Sequence, residues 1–450
     1  MTKNLTEGEP ARLILFFTLP LIAGNIFQQL YAFVDTLIVG RFLGVEALAA
    51  VGCTGSLMFL MLGFVIGFST GITIYTGQRY GAKDAAGVRR SAAACTIISL
   101  IESVVLTIIG VSMCRWLLVL MQTPPEILDD AVSFISIVYG GMVMFVFLQT
   151  QTNILRALGD SRMPTVILAV ALCINIILEP VAILVLEWGI PGAAIATVVS
   201  QFIGNVLCYI YIRKRVPALH THREDWHITM ADLKAHLRIG LPMGFQASII
   251  AIGAIIIQIA LNNLGAVPVA AYAAAQKVDS VAMMPMMSFG LAMAAYTAQN
   301  YGAQQYGRIA EGVKKCVYMS VSFSIVAGAA LILFGKEIMY LFVGSGADEV
   351  IALGHEYIMV NGATYWILSL LFIFRYTLQG LGQSVVPTIA GIMELIMRSM
   401  AAIFLCSYLG YLGACLANPM AWLGSCVPLA IAFWWTSRSF KKKHANINAA

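Results

Sequence analysis

The sequence is poor in charged residues. Only 11% of its 450 residues are Asp, Glu, Lys or Arg, whereas 60% are hydrophobic, and its mean hydropathy is +0.85. A soluble domain carries about 25% charged residues, so this chain has too little polar surface to cover a water-soluble globule. The composition therefore indicates a polytopic membrane protein.

The sequence also lacks the motifs of membrane-bound enzymes. It contains no GxxxxGK[ST] phosphate loop, no HExxH on an apolar span, and no GxSxG or Ser–Lys motif. These absences exclude an ATPase and give no support to a hydrolase, so we expect no enzyme activity, no resident metal and no other cofactor. The nine cysteines are scattered singly without disulfide spacing, and we expect them to be buried as small hydrophobic residues. The net charge of +5 is explained by the loops described below and requires no nucleic acid partner.

What the sequence does contain is a series of long apolar windows. A helix needs roughly 20 apolar residues to cross a bilayer, and the short alternating strands of a barrel are not visible. We predict an all-α protein with twelve transmembrane helices. These helices lie near residues 13–39, 50–78, 91–113, 131–154, 164–186, 191–212, 240–263, 268–298, 315–335, 354–376, 386–408 and 413–436.

The loops between these windows alternate in charge. One set holds nearly all the basic residues, including the 213–238 loop and the C-terminal KKKH, whereas the other set holds only Arg41, Arg115 and Lys336. Basic loops face the cytoplasm by the positive-inside rule. We therefore expect a multi-pass protein of the bacterial cytoplasmic membrane with both termini in the cytoplasm. The first apolar helix is too long for a cleavable signal peptide.

The two halves of the chain repeat one another at a spacing of about 221 to 223 residues. LRALGDSRMPT matches the later LQGLGQSVVPT, QRYGA matches QNYGA, and Pro20 matches Pro242. Each half holds six spans, so both have the same orientation, which is the parallel-repeat arrangement of many transporters. We predict two pseudo-symmetric six-helix bundles around a central cleft. The predicted domains are an amino-terminal lobe at 1–212, a basic cytoplasmic linker at 213–239, a carboxyl-terminal lobe at 240–437 and a cytoplasmic tail at 438–450.

Polar residues in the spans of the first half indicate an ion site. Asp35 is the only charge in the run from Leu13 to Val39, and Glu179 lies one turn after Asn175 on the fifth span. A charge at the centre of a span costs about 3 kcal/mol on insertion scales and marks a functional site by default. Asn25 and Gln28 share a face of the first span with Asp35, and Thr197, Gln201 and Asn205 form a stripe on the sixth span. Such a cluster of carboxylates and neutral oxygens suits protons or hard cations. The alternative is that these side chains only bond the helices together.

The second half has different embedded charges. Lys277 and Asp279 lie on span eight, and Glu394 and Arg398 lie four residues apart on span eleven, where we expect them to neutralise each other. Arg398 occupies the repeat position of Asn175, so we expect the coupling ion to bind in the first half only.

Methionine and aromatic side chains could line a substrate site. Met286 and Met287 belong to an MMPMM stretch of span eight, and Tyr31 lies on span one. Flexible methionines and aromatic rings suit varied cationic, apolar ligands. Core packing is the alternative for each methionine.

The sequence resembles the multidrug and toxic compound extrusion (MATE) family along nearly its whole length, and it is most similar to the MepA-like bacterial branch. The resemblance rests on the opening LPLIAGNIFQQLYAFVDTLIVGRFLG, on QRYGA and QNYGA, on LRALGD and on GIPGAAIAT. It implies export of cationic or amphiphilic drugs in exchange for inward H⁺ or Na⁺. It also implies that Asp35, Asn175, Glu179 and Thr197 form the cation site, where Glu179 replaces the usual Asp. By the same resemblance, Gln28 and Asn153 line the substrate cavity.

Two other functions remain open from the sequence. A flippase for lipid-linked precursors would use a cationic cavity, to which Lys277, Arg375 and Arg398 could contribute. An ion channel would use the repeat to build a pore, although no ring of charges is visible. We expect a monomer whose partners are small drugs and membrane lipid.

Overall fold

The computed structural model describes residues 4–344 and 346–449, excluding the side chains of Val45 and of 441–449. The first three residues of the predicted amino-terminal lobe, the KKKH side chains and the last residue of the predicted tail therefore lie outside the described residues. Nearly all of the described chain is helical, and it contains no β-strand. The predicted all-α fold class is confirmed.

The first half of the chain forms eight α-helices and one π-helical segment. The α-helices are α1 (Pro10–Phe42), α2 (Val45–Cys53), α3 (Gly55–Gly81), α4 (Ala85–Leu120), α5 (Pro125–Gly140), α6 (Met142–Ala157), α7 (Arg162–Pro180) and α8 (Gly189–Arg215), and the π-helix is Val181–Val185. Several helices extend beyond their apolar windows. For example, α4 begins at Ala85 because the Asp84 side chain accepts a hydrogen bond from the Gly87 backbone N–H at 2.8 Å, which caps the helix before the apolar run starts.

The second half begins after two short 3₁₀ turns, Pro217–Leu219 and Arg223–Trp226, and follows a similar order, with one helix where the first half has α2 and α3 and a short extra helix after its π-helix. Its α-helices are α9 (Met230–Asn262), α10 (Ala266–Gly302), α11 (Tyr306–Val343), α12 (Asp348–Gly362), α13 (Tyr365–Gly380), α14 (Val385–Met400), α15 (Cys406–Leu409) and α16 (Tyr411–Ala449), and its π-helix is Ala401–Leu405.

The helices are long and apolar enough to span a membrane. Ten spans meet this description singly, and two bent pairs, α5 with α6 (46°) and α12 with α13 (50°), meet it together. Counting each pair as one span gives twelve spans in the described chain, the predicted number. Large apolar side chains such as Phe33, Val185 and Leu341 are 64%, 71% and 83% exposed, as expected for surfaces that face lipid.

The sequence repeat is also visible in the backbone. Gly44 and Gly265 have φ of 89° and 105°, and Gly189 and Gly410 have φ of 59° and 57°. Lys83 and its repeat partner Gln304 both adopt a left-handed φ of 57°, which is uncommon for a residue with a side chain. The two bent pairs and the two π-helices lie at matching places as well. The halves therefore share one backbone design at the level of turns and helix breaks.

The chain forms two compact units whose limits differ from the predicted lobes. The first unit holds Asn4 and Ala23–Gly244, and the second unit holds Leu5–Ile22 and the chain from Phe245 onward. Residues 213–239, predicted as a linker, belong to the first unit. In the second unit, Ile14 and Phe17 of α1 pack with Phe289 and Tyr296 of α10. This apolar packing is the reason that Leu5–Ile22 belongs to the second unit.

The first part of α9 joins the first unit through close glycine packing. A Cβ atom on Gly71 would lie 2.6 Å from the Gly240 Cα, and one on Gly67 would lie 2.5 Å from the Met243 carbonyl oxygen. Small residues four apart on facing helices allow this backbone approach in membranes. The Ser91 Oγ also lies 2.8 Å from the His236 Nε2 atom, which adds a polar tie between α4 and α9.

The cysteines are free thiols, and seven of the nine are buried. Cys53 is half-buried and Cys173 is exposed. The expectation of buried, small hydrophobic residues therefore holds for seven cysteines but not for Cys173, which lies on the outer face of α7.

Candidate functional site

The two carboxyl groups predicted from the first half lie side by side in the first unit. Glu179, near the end of α7, is 0% exposed, and Asp35 on α1 is half-buried. The two groups are close enough to interact directly. The Tyr31 side chain, one turn before Asp35, interacts with both acids, and its hydroxyl lies beside that of Thr197. Three helices, α1, α7 and α8, therefore supply this acidic cluster.

Asn175 completes the predicted set. Its Nδ2 atom donates to the Thr197 Oγ1 at 3.2 Å and lies 3.5 Å from the Ser200 Oγ. Asn175 and Glu179 share one face of α7 because they are four residues apart. The structure thus brings all four predicted cation-site residues together. It also adds Ser200, which sequence reasoning missed although it lies one turn beyond Thr197.

The site has oxygen atoms without hydrogen-bond donors. Both carboxyl oxygens of Glu179 and the Oδ1 of Asn175 are buried, and in the described part of the chain they have no donor apart from the carboxyl group of Asp35 beside Glu179. A buried acceptor without a donor is costly. A bound proton or a small hard cation would satisfy such oxygens, because carboxylate and amide oxygens are the ligands that these ions prefer. The donor set therefore fits H⁺ or Na⁺.

Local helix geometry positions these acids. Pro180 ends α7 directly after Glu179 and is followed by the π-helix Val181–Val185. Proline removes a backbone hydrogen bond, and π-helical turns are frequent at functional sites. The backbone next to Glu179 is therefore irregular at the point where the side chain meets Asp35.

The residues predicted to line a substrate cavity have different environments. Gln28 is exposed and lies one turn before Tyr31 on α1. Asn153 is buried on α6, where its Nδ2 is 3.4 Å from the Thr70 Oγ1 and its Oδ1 accepts from the Arg156 Nη1 at 3.1 Å. A substrate role for Gln28, Tyr31 and Asn153 remains a prediction.

The two methionines lie in the second unit. Met286 is 0% exposed and belongs to a core cluster with Tyr365, Leu368 and Trp422. Met287 is half-buried. Met286 therefore fills the core, the alternative weighed for it above, and Met287 keeps an accessible surface.

The buried acids Glu394 and Asp279 of the second unit are each held by two partners. The Glu394 carboxylate forms ion pairs with the Arg375 Nη2 at 2.7 Å and with the Arg398 Nη2 at 2.9 Å. The expected Glu394–Arg398 pair thus forms, and Arg375 joins it. Asp279 accepts from the Tyr357 hydroxyl at 3.0 Å and from the Tyr365 hydroxyl at 2.5 Å.

Lys277 lies within α10, on the span where it is predicted, and its side chain is exposed. Another embedded charge was missed. Glu102 on α4 is buried, and a single acid inside the apolar window 91–113 was the signal that could have identified it, as it did Asp35.

Two repeat-related helical units with up to twelve spans and a buried acid pair define a class: polytopic membrane proteins built by tandem duplication, the architecture of many secondary transporters. The MatE family model matches residues 20–181 and again 242–404. The chain belongs to the MatE family, as its resemblance predicted. The two matches begin 222 residues apart, in agreement with the repeat.

The chain is similar over most of its length to two curated bacterial relatives and to one solved structure. "Probable multidrug resistance protein YoeA" of Bacillus subtilis (strain 168) is 29% identical over 456 residues, covering 98% of this chain and 97% of the relative. "Multidrug export protein MepA" of Staphylococcus haemolyticus (strain JCSC1435) is 19% identical over 388 residues, covering 86% and 85%. An outward-facing multidrug resistance MATE family transporter of the MOP superfamily aligns with a TM-score of 0.89 at 23% identity, covering 98% of both chains. That structure shows the shared fold.

Proposed function

We propose that this protein is a secondary active multidrug efflux antiporter of the bacterial cytoplasmic membrane, with both termini in the cytoplasm. It exports cationic or amphiphilic compounds and takes up H⁺ or Na⁺ in exchange, without catalytic chemistry. The observation that carries the proposal is the contact between Asp35 and the fully buried carboxyl of Glu179, for which no cationic side chain is described. The names of the curated relatives support the substrate class.

The acid pair suits ion exchange for an electrostatic reason. Two adjacent carboxylates in a poorly hydrated site cannot both remain ionised without a cation between them or a proton on one of them. The pair therefore has a bound state and an unbound state that differ by one positive charge. Ion and drug are coupled if each prefers a different conformation of the carrier.

The flippase alternative gains no support from the second unit. It requires a cluster of free cationic side chains, yet Arg375 and Arg398 both bind Glu394, which leaves Lys277 alone of the three cations named for it. We therefore place the function in the acidic first unit.

Efflux from cells or proteoliposomes tests the proposal. Ethidium transport is measured with a pH gradient or a Na⁺ gradient imposed separately, for the wild type and for the D35N/E179Q variant. The wild type is expected to respond to at least one gradient, and the double variant to neither, because its site can no longer change charge. Glu46 is exposed, and E46Q serves as the control that keeps full activity. Full gradient-driven efflux by D35N/E179Q rejects the mechanism.

A further inference from the structure

A second unsatisfied acid lies within the first unit. Glu102 on α4 is 7% exposed, and neither of its carboxyl oxygens accepts a hydrogen bond in the described part of the chain. α4 packs against α3, α5 and α6 and against the two 3₁₀ turns, Pro217–Leu219 and Arg223–Trp226. No side chain described on these elements pairs with the carboxyl group of Glu102, which is removed from water by burial.

This isolation distinguishes Glu102 from the other buried acids. Glu179 faces Asp35, Glu394 is held by two arginines, and Asp279 by two tyrosine hydroxyls. An ionised carboxylate at the centre of a span costs about 3 kcal/mol on insertion scales. With neither a cation nor a donor to offset that cost, the neutral form of Glu102 is the stable one. The side chain therefore holds a proton in this conformation.

Pairs of hydrogen-bonded polar side chains lie on the helices between Glu102 and the helix that carries Thr197. Ser99, one turn before Glu102, lies 2.7 Å from the Thr150 Oγ1 on α6. The next α6 residue, Gln151, donates to the Asn205 Oδ1 on α8 at 3.3 Å. Gln201, one turn from Thr197 on α8, presents a buried Oε1 without a donor. The row thus runs from α4 through α6 to the helix that carries Thr197.

Acceptors without donors are spread along this row. They comprise Glu102 Oε1 and Oε2, Gln151 Oε1, Gln201 Oε1, Asn175 Oδ1 and Glu179 Oε1 and Oε2. Buried water donates hydrogen bonds to such groups and bridges them, so this side of the unit can hold the water that a proton exchange requires.

Glu102 and Glu179 occupy the same position along their helices. Each lies 17 residues after the first residue of its helix, which corresponds to about 26 Å at a rise of 1.5 Å per residue.

We infer that Glu102 is a second proton-binding group of the first unit, which exchanges its proton with water and contributes one proton to the transport cycle. The transport part of this inference rests on the proposed antiport function, whereas the proton binding itself does not. The first unit therefore binds more coupling ions than the Asp35–Glu179 pair alone can hold.

Infrared spectroscopy of the purified protein in lipid nanodiscs tests the proton binding without transport. The measurement uses the D35N/E179Q background, so that the acid pair does not contribute. At neutral pH we expect a protonated-carboxyl C=O band that E102Q removes and that E102D retains at a shifted frequency. D279N, which removes a buried but hydrogen-bonded acid, is expected to leave the band unchanged. A spectrum that E102Q does not alter, or a band lost with D279N instead, overturns the proposal.

A proton count per ethidium transported by the E102Q variant in an otherwise wild-type chain tests the transport part. We expect about one proton fewer per ethidium than in the wild type, because the variant holds no exchangeable proton at this position. An unchanged count overturns the contribution to transport. A wild type that moves no ethidium instead rejects the antiport function and leaves the infrared result standing.

Discussion

The two units treat their buried acids in opposite ways. In the second unit, Glu394 binds two arginines and Asp279 binds two tyrosine hydroxyls. Among the described residues of the first unit, Glu102 has no donor, and Glu179 meets only the carboxyl group of Asp35. The units share turns, helix breaks and bent pairs, so backbone design alone does not determine this chemistry. The difference shows that the two units share a scaffold but not the partners of their buried acids, and it is the reason that we place the proposed ion exchange in the first unit.

The largest predicted effect concerns stability and compares the same substitution in both units. Glu394→Gln leaves Arg375 and Arg398 buried without their anion, and breaking a buried pair costs about 3–5 kcal/mol. Glu179→Gln removes a charge that no donor stabilises, so it is expected to be neutral or stabilising. Thermal or denaturant unfolding of the purified variants measures both. Equal losses in the two units would contradict the comparison.

A smaller loss is expected when one donor to Asp279 is removed. Tyr365→Phe deletes the hydroxyl that donates to the Asp279 Oδ1, and leaving a buried acceptor short of a donor costs about 1–3 kcal/mol. Tyr31→Phe in the first unit is the matched control. The Tyr31 hydroxyl lies beside Thr197 and is not a described donor to either carboxyl group of the acid pair. Unfolding midpoints should fall for Y365F and remain nearly unchanged for Y31F, and the reverse order would count against this account.

Transferring the pairing of the second unit to the first sharpens the comparison through activity. Asn175 occupies the repeat position of Arg398 and lies one turn from Glu179, so N175R can supply the missing cation. An ion pair that stabilises the carboxylate by about 1.4 kcal/mol weakens its hold on a proton about tenfold. We therefore expect the rate of gradient-driven ethidium efflux to fall at least about tenfold, while the protein stays folded. N175Q is the uncharged control, and efflux by N175R at the N175Q level would exclude the pairing argument.

The smallest effect is expected for an acid outside the membrane. Burial raises the pKa of Asp225, but the His222 backbone N–H at 2.7 Å and the Arg89 guanidinium at 3.0 Å outweigh it, and the pKa is lowered. A lowered folded-state pKa gives stability that is present above the ordinary carboxyl range and is lost as pH falls through the folded value. For a partly exposed pair this contribution is about 0–1 kcal/mol.

Asp225→Asn should therefore destabilise the protein slightly at neutral pH and leave it unchanged at strongly acidic pH. Unfolding midpoints of D225N and wild type across pH measure the difference. A gap that widens on acidification would show that the sign is wrong.

Much of the fold could be predicted from the sequence, because the lipid phase restricts it. Spans of about 20 apolar residues, basic loops and two LRALGD-like repeats leave few alternatives to two six-span halves. The ends of the helices were harder to predict from the sequence, because local caps such as Asp84 extend helices past the apolar windows. The assignment of Leu5–Ile22 to the second unit was not predictable, because it follows from side-chain packing between distant segments.

The candidate site could be predicted in part for a similar reason. Asp35 and Glu179 were identifiable because an isolated charge in an apolar run is costly, and the same rule applied consistently would have included Glu102. The core position of Met286 and the second arginine on Glu394 depend on which helix faces which. Periodicity gives the face of one helix, but it does not give the partner opposite that face.

Ion release caused by drug binding tests the central claim most directly. Purified protein is mixed with ethidium in weakly buffered solution with and without Na⁺, and released protons or Na⁺ ions are counted for the wild type and for D35N/E179Q. We predict that ethidium displaces ions from the wild type, and that the double variant loses the release from the acid pair while still binding the drug. Equal release from both proteins would contradict the assignment of the coupling site to Asp35 and Glu179.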